Sequence, residues 1–126
     1  MKPNPVGWFE IYVRDMARAK AFYEAVFGVT LARQEKIGPG LSEMWMFPMA
    51  QDAPGAGGAL VSMAGGGPSG NAVIVYFACD DCAQEAAKVV AHGGEVMKAK
   101  FAAGDYGYIA IVTDTEGNAI GLHSFK

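Results

Sequence analysis

The sequence predicts an α+β domain made of two β-α-β-β-β modules whose curved sheets surround a cavity. Three observations carry this. A strand-like segment followed by a helical stripe opens the chain, and the same order returns in the second half. A run of breakers from Ala64 to Gly70 divides the chain near its midpoint. A shift of 66 residues carries Asp15 onto Asp81, Ala17 onto Ala83, Ala21 onto Ala87, Ala25 onto Ala91 and Gly28 onto Gly94. A shift of 67 aligns the helical stripes slightly better. The difference matters, because a slip of one residue reverses which strand side chains point inward.

Each element has a local reason. Gly7 to Val13 is aromatic and β-branched, hence a strand. Asp15 can cap a helix by accepting from its first free N–H groups. Ala19, Phe22, Tyr23 and Val26 then recur at helical spacing, and Gly28 ends the helix in a left-handed turn. Val29 to Arg33, Met44 to Met49 and Gly58 to Met63 read as three more strands. Ala72 to Cys79 restarts the pattern, with Asp80 or Asp81 as the next cap. Ala83, Ala86, Ala87 and Val90 repeat the stripe, and Gly93-Gly94 closes it. Glu95 to Phe101, Tyr106 to Val112 and Ala119 to Phe125 complete the second set of strands, with a turn at Asp114 to Asn118. The domain therefore divides into a first module at 6–63, a linker at 64–71 and a second module at 72–126.

Composition bounds the function. The 126 residues are 52% hydrophobic and 18% charged, enough apolar surface to hold a core without staples. A net charge of −3 and a pI near 5.3 argue against a nucleic-acid partner and against an anionic membrane surface. No apolar run reaches the roughly 18 residues of a membrane span. Met1 to Pro5 leads straight into a strand without a signal-peptide core, so the expected compartment is the cytoplasm.

Cys79 and Cys82 form a Cys-x-x-Cys motif, but Asp80 and Asp81 between them would raise the thiol pKa values rather than lower them. No second ligand pair is spaced for zinc. Packing at the strand end is the plainer reading. Gly65-Gly66-Gly67 lacks a following Lys-Ser/Thr and a helix, so it is not a phosphate loop.

Val13-x-Asp15, Phe22-Tyr23 and Phe27-Gly28, together with Asp114-x-x-Gly117-Asn118, resemble the vicinal oxygen chelate superfamily. That group holds glyoxalase I, bleomycin-resistance proteins and extradiol dioxygenases. The resemblance covers nearly the whole chain. It implies paired modules, homodimers and a sheet-lined pocket. It also implies a divalent metal held by His, Gln or Glu on first and last strands, with open positions for two substrate oxygens. The implied ligand positions fall on Trp8, on Ile74 or Val75, and on Gly121. Gly58 to Val61 contains no ligand-capable side chain at any register. The sequence thus departs from the catalytic pattern, and no metal ligand and no cofactor are expected.

What remains is an apolar slot. Residues i and i+2 share a strand face, so Trp8 groups with Glu10 and Tyr12, Ile74 with Tyr76, and Gly121 with His123. Gly121 would leave room, and Trp45 and Phe47 would extend the aromatic wall. The expected ligand set is Trp8, Glu10, Tyr12, Trp45, Phe47, Tyr76, Gly121 and His123. Glu10 has two readings. It either hydrogen-bonds a Tyr or backbone N–H, or faces solvent, and does nothing more; or it fixes a ligand or moves a proton. His123 is either packed or solvated, or pairs with Glu10 in acid–base work. His92, at a helix end, suits the helix dipole.

The leading expectation is a homodimer that binds a small aromatic or apolar molecule without metal. The alternative is a metal-dependent lyase or dioxygenase with displaced ligands such as Glu10 and His123. A protein-interaction domain with a collapsed cavity is the third.

Overall fold

The computed structural model describes residues 3–67 and 70–126. Met1 and Lys2 of the N-terminal reading, and Pro68 and Ser69 of the linker, lie outside the described residues. The chain runs β1 (Val6–Tyr12), α1 (Met16–Phe27), β2 (Ala32–Arg33), β3 (Glu43–Met46), β4 (Gly57–Ser62), β5 (Val73–Ala78), α2 (Cys82–Ala91), β6 (Glu95–Ala102), a 3-10 turn (Gly104–Tyr106), β7 (Tyr108–Thr113) and β8 (Ala119–Ser124).

All eight strands form one curved sheet in the order β2-β3-β4-β1-β5-β8-β7-β6. The modules join within one chain, through the antiparallel pair β1–β5. Parallel pairs β1–β4 and β5–β8 flank that seam and make it the most interior part of the sheet.

Both helices cover the same face. On α1, Met16, Ala19 and Tyr23 pack on Ile11, Leu60, Trp45 and Phe47. On α2, Cys82, Ala86 and Val89 pack on Phe77, Ala110, Val112 and Leu122. Met16 matches Cys82 and Tyr23 matches Val89 at a 66-residue offset, as do the caps Asp15 and Asp81. The structure therefore follows the 66-residue register. The expected stripes are turned by about one residue: Phe22, Val26 and Val90 are more than half exposed. Alanine carries little periodic signal, so the small residues of both helices left the phase loosely set.

Several strand limits differ from expectation for local reasons. Val29 to Leu31 does not join a strand, because its N–H groups serve the helix end. Val29 donates to the Glu24 carbonyl at 3.3 Å, and Leu31 donates to the Glu24 carboxylate at 2.8 Å. β3 stops at Met46, just before Pro48, which has no N–H for the ladder. The strand expected from Tyr106 starts at Tyr108 instead. Gly104 and Gly107 sit at φ 59° and 83°, and the residues between them coil into the 3-10 turn. The Asp114 turn holds as expected: its carboxylate accepts from the backbone N–H groups of Glu116 and Asn118 and from the Asn118 amide. Among the described residues, no helix is long and apolar enough to cross a membrane.

Leu60 is fully buried where β4, β1 and α1 meet. Leu60→Ala is expected to lower unfolding free energy by about 2–5 kcal/mol, read by urea denaturation.

Candidate functional site

The face opposite the helices is the inner face of the curve. Trp8, Glu10 and Tyr12 reach it from β1, as the two-residue period requires. Ile74 and Tyr76 reach it from β5, Ile109 and Ile111 from β7, and Met44 and Met46 from β3. Gly121 and His123 share this face by their pairing with Tyr76, Ile111 and Ile109.

At its centre is the Glu10 carboxylate, 7% exposed. Its Oε1 accepts from the hydroxyls of Tyr12 and Tyr76, each at 2.9 Å. Its Oε2 accepts from the Trp8 indole N–H at 3.2 Å. Among the described residues no cation pairs with it. A buried carboxylate costs several kcal/mol unless its oxygens are bonded, and three neutral donors do that here. Both phenols are held well above their ordinary value of 10, first by burial and then by the Glu10 charge. They stay protonated donors across the physiological range.

The structure brings together Trp8, Glu10, Tyr12 and Tyr76. Gly121 lies beside them, but it does not leave a vacant slot. A Cβ there would strike the Tyr76 ring, so glycine is what lets that ring lie flat over β8. His123 is turned to other work. Its Nε2 donates to the Tyr106 carbonyl at 2.5 Å, and its ring meets Phe125 edge-on at 4.7 Å. Among the described residues no hydrogen bond joins His123 to Glu10.

Trp45 and Phe47 are on the other side of the sheet. Trp45 pairs with Leu60, lies under the Lys20 ammonium and donates to Glu43 at 3.2 Å. Phe47 packs edge-on against Tyr23 of α1. The expected aromatic wall beyond β1 is therefore wrong in parity. Met44 and Met46 take that place.

Beside this cluster a cleft of about 690 Å³ opens at the ends of β1 and β4. Tyr12 belongs to both. Arg14, Ser42, Ser62 and Asn71 add polar groups, and the glycines at 65–67 form one side. Across the inner face, the Gln34 amide donates to the Tyr106 hydroxyl and Lys36 pairs with Asp105 at 3.3 Å. Gln34 follows edge strand β2, and Tyr106 follows edge strand β6. These contacts tie opposite edges of the sheet, and spacing in the sequence gave no hint of them.

The cysteines are free. Burial, then the charge of Glu85, pushes the Cys79 thiol up to about 11. Cys82 is fully buried, and its N–H donates to Ser124 Oγ at 3.0 Å. Both fit packing rather than redox chemistry.

The residues at the metal positions of the resemblance do not fit a metal. Trp8 and Ile74 offer no ligand atom, and the Tyr76 ring fills the place of a Gly121 side chain. Among the described residues no three His, Cys, Asp or Glu side chains gather to hold an ion.

Two outcomes follow. Gly121→Ala is expected to destabilise by about 1–3 kcal/mol by displacing Tyr76, read by urea denaturation. The second concerns alkaline pH. Above about pH 10 the unfolded phenols ionise while the folded ones keep their protons, so stability falls as pH rises. Cys79 acts in the same sense between 9.0 and about 11. The urea midpoint should fall from pH 9 upward, and the Tyr12→Phe/Tyr76→Phe pair should flatten that slope.

Comparison with known proteins bears on the family and the fold. The family model described as Glyoxalase/Bleomycin resistance protein/Dioxygenase superfamily matches residues 6–122. Two curated relatives, from Mycobacterium tuberculosis and Mycobacterium bovis, are 34% identical over 118 residues; both are named "Putative glyoxylase CFP32". The match takes in 92% of this chain but 44% of theirs, so the chain spans about half the length of these relatives. Among solved structures, a variant methylmalonyl-CoA epimerase of Streptomyces coelicolor in complex with 2-nitronate-propionyl-CoA is 19% identical. Its TM-score is 0.67, over 95% of this chain and 96% of that one. The hypothetical protein BH1468 of Bacillus halodurans has TM-score 0.70 at 10% identity, over 99% and 96%. These likenesses show the fold alone. The sequence match over nearly the whole chain shows the family: this chain belongs to the glyoxalase/bleomycin resistance protein/dioxygenase superfamily.

Proposed function

We propose that this chain is a metal-independent member of its superfamily that binds a small aromatic or apolar molecule on the inner face of the sheet. One observation carries the reading. Where the fold would hold a metal, the chain has a carboxylate already bonded by Trp8, Tyr12 and Tyr76, with Tyr76 packed over Gly121. The space left for a ligand is the adjoining cleft of about 690 Å³, within the usual range for small-molecule sites.

In this reading the ligand lies against the outer side of the Tyr12 ring. Glu10 holds the Tyr12 hydroxyl, so the ring is fixed before the ligand arrives and little side-chain entropy is lost on binding. Arg14, Ser42 and Asn71 orient the polar end of the ligand. A second copy of the chain covers apolar surface such as Phe22 and Phe27, which are 59% and 64% exposed, and completes a homodimer.

A second reading is a glyoxalase-type enzyme, favoured by the name of the curated relatives. It needs ligands that the inner face does not offer, since Glu10 is committed to three donors and His123 to Tyr106.

The test is a metal and ligand titration on protein purified without chelator. The expected result is no stoichiometric manganese, iron, nickel or zinc, and an unchanged melting temperature on adding each. Small aromatic compounds should raise the melting temperature, by the equivalent of about 2.7 kcal/mol at one hundred times Kd. Tyr12→Ala should remove most of that rise. A tightly held metal with lyase turnover would establish the second reading instead.

A further inference from the structure

The cleft beside Tyr12 has a charge of its own. Its polar residues meet because the ends of the central strands lie side by side. The Ser42 N–H donates to the Ser62 carbonyl at 2.7 Å, the Val13 N–H to the Val61 carbonyl at 2.9 Å, and the Tyr12 N–H to the Ala72 carbonyl at 2.6 Å. These bonds set four neighbouring segments in the order Ser42, Ser62, Arg14 and Asn71. All four residues line the cleft, and its open surface is polar as well as apolar.

Among the described residues that line it, Arg14 is the charged one and none is acidic. Among the described residues no carboxylate pairs with Arg14. Asp15 beside it is engaged as the helix cap and accepts from the Arg18 N–H at 3.0 Å. Glu10 is engaged by Trp8, Tyr12 and Tyr76. No hydrogen bond within the described chain occupies the side chains of Ser42, Ser62 or Asn71. The cleft therefore offers donors and no competing anion.

Water satisfies an exposed guanidinium in the empty cleft. A ligand that covers the Tyr12 ring displaces some of that water. A neutral ligand then forfeits hydration of the charge, whereas a carboxylate replaces it with two parallel N–H···O bonds. The serine hydroxyls and the Asn71 amide can donate to its remaining lone pairs. One positive charge matches one negative charge; a phosphate dianion would place a second beside Asp15.

We infer that the cleft selects aromatic molecules that carry a carboxylate, and that Arg14 sets this preference. The inference rests on the small-molecule reading of the cleft and names the class of ligand.

The experiment is an NMR titration of the full chain with 2-naphthoate, 2-naphthylmethanol, 2-naphthylmethylamine and 2-naphthyl phosphate. It is followed on the backbone amide signals of Val13, Ala64 and Ala72. Naphthoate should bind about tenfold or more tightly than the alcohol, the size of a charge-assisted hydrogen bond. The amine should bind most weakly, and the phosphate no more tightly than naphthoate. Arg14→Gln should bring naphthoate down to the level of the alcohol and leave the alcohol unchanged. Arg14→Lys keeps the charge without the planar fork, so its naphthoate affinity should fall between. Added salt should weaken naphthoate and not the alcohol. An unchanged urea midpoint reports that each variant is folded. Equal affinity for acid and alcohol, tighter binding of the phosphate, or an Arg14→Gln variant that keeps the acid's advantage would overturn the inference and leave the small-molecule reading standing. No binding of any of these compounds at those signals would overturn both.

Discussion

The structure depends on how one buried carboxylate is satisfied. Glu10 lies on β1, at the seam where the first module meets the second. One of its three donors, Tyr76, comes from β5 across that seam, 66 residues away. The other two, Trp8 and Tyr12, flank it on the same strand face. The bond set therefore fixes the pairing of the modules as well as the positions of three aromatic rings. A one-residue slip of β5 would turn Tyr76 toward the helices and strip the carboxylate of a donor. With no cation nearby, that loss would leave a buried charge underbonded, which few other errors in the sheet would cost as heavily.

Further features depend on that constraint. The Tyr76 ring needs flat backbone beside it, and Gly121 supplies it. The curvature that brings these strands around the inner face also brings the two sheet edges near each other. There the Gln34–Tyr106 and Lys36–Asp105 contacts close the arc, and His123 holds the Tyr106 carbonyl in place. The exposed Lys36–Asp105 pair adds little energy by itself. Its value is positional, since it joins segments that follow the outermost strands.

Much of this was legible in the sequence, and the misses have physical causes. The alternation Trp8-x-Glu10-x-Tyr12 placed three side chains on one face, and the 66-residue shift placed Tyr76 with them, whereas the 67-residue shift placed Val75 there instead. Period-two arguments survive because both modules keep the same parity at the 66-residue register. Trp45 and Phe47 were misread because parity within β3 says nothing about parity relative to β1. That relation is set by the β3–β4 and β4–β1 registers, and β4 is too uniformly apolar to reveal its inward face. The helical phase was blurred by alanines, which fit either side of a helix. The Gln34–Tyr106 contact joins residues 72 apart through loops, where no periodicity operates.

The same logic bears on what this scaffold can bind. A metal site in this fold asks for donors that point inward with free lone pairs and with space between them. Here the inward positions carry an indole, an isoleucine and a glycine, and the space is taken by a tyrosine ring. The Glu10 carboxylate has its oxygens engaged by its own neighbours. Freeing it would break bonds that hold the modules together, so recruitment of Glu10 by an ion would oppose the fold rather than complete it. The Tyr12 ring carries no such conflict. Its hydroxyl serves Glu10 while Tyr12 also lines the cleft, so in the proposed function a ligand meets Tyr12 and leaves the carboxylate undisturbed. Under that proposal, the interaction that stabilises the sheet also shapes the surface offered to a ligand.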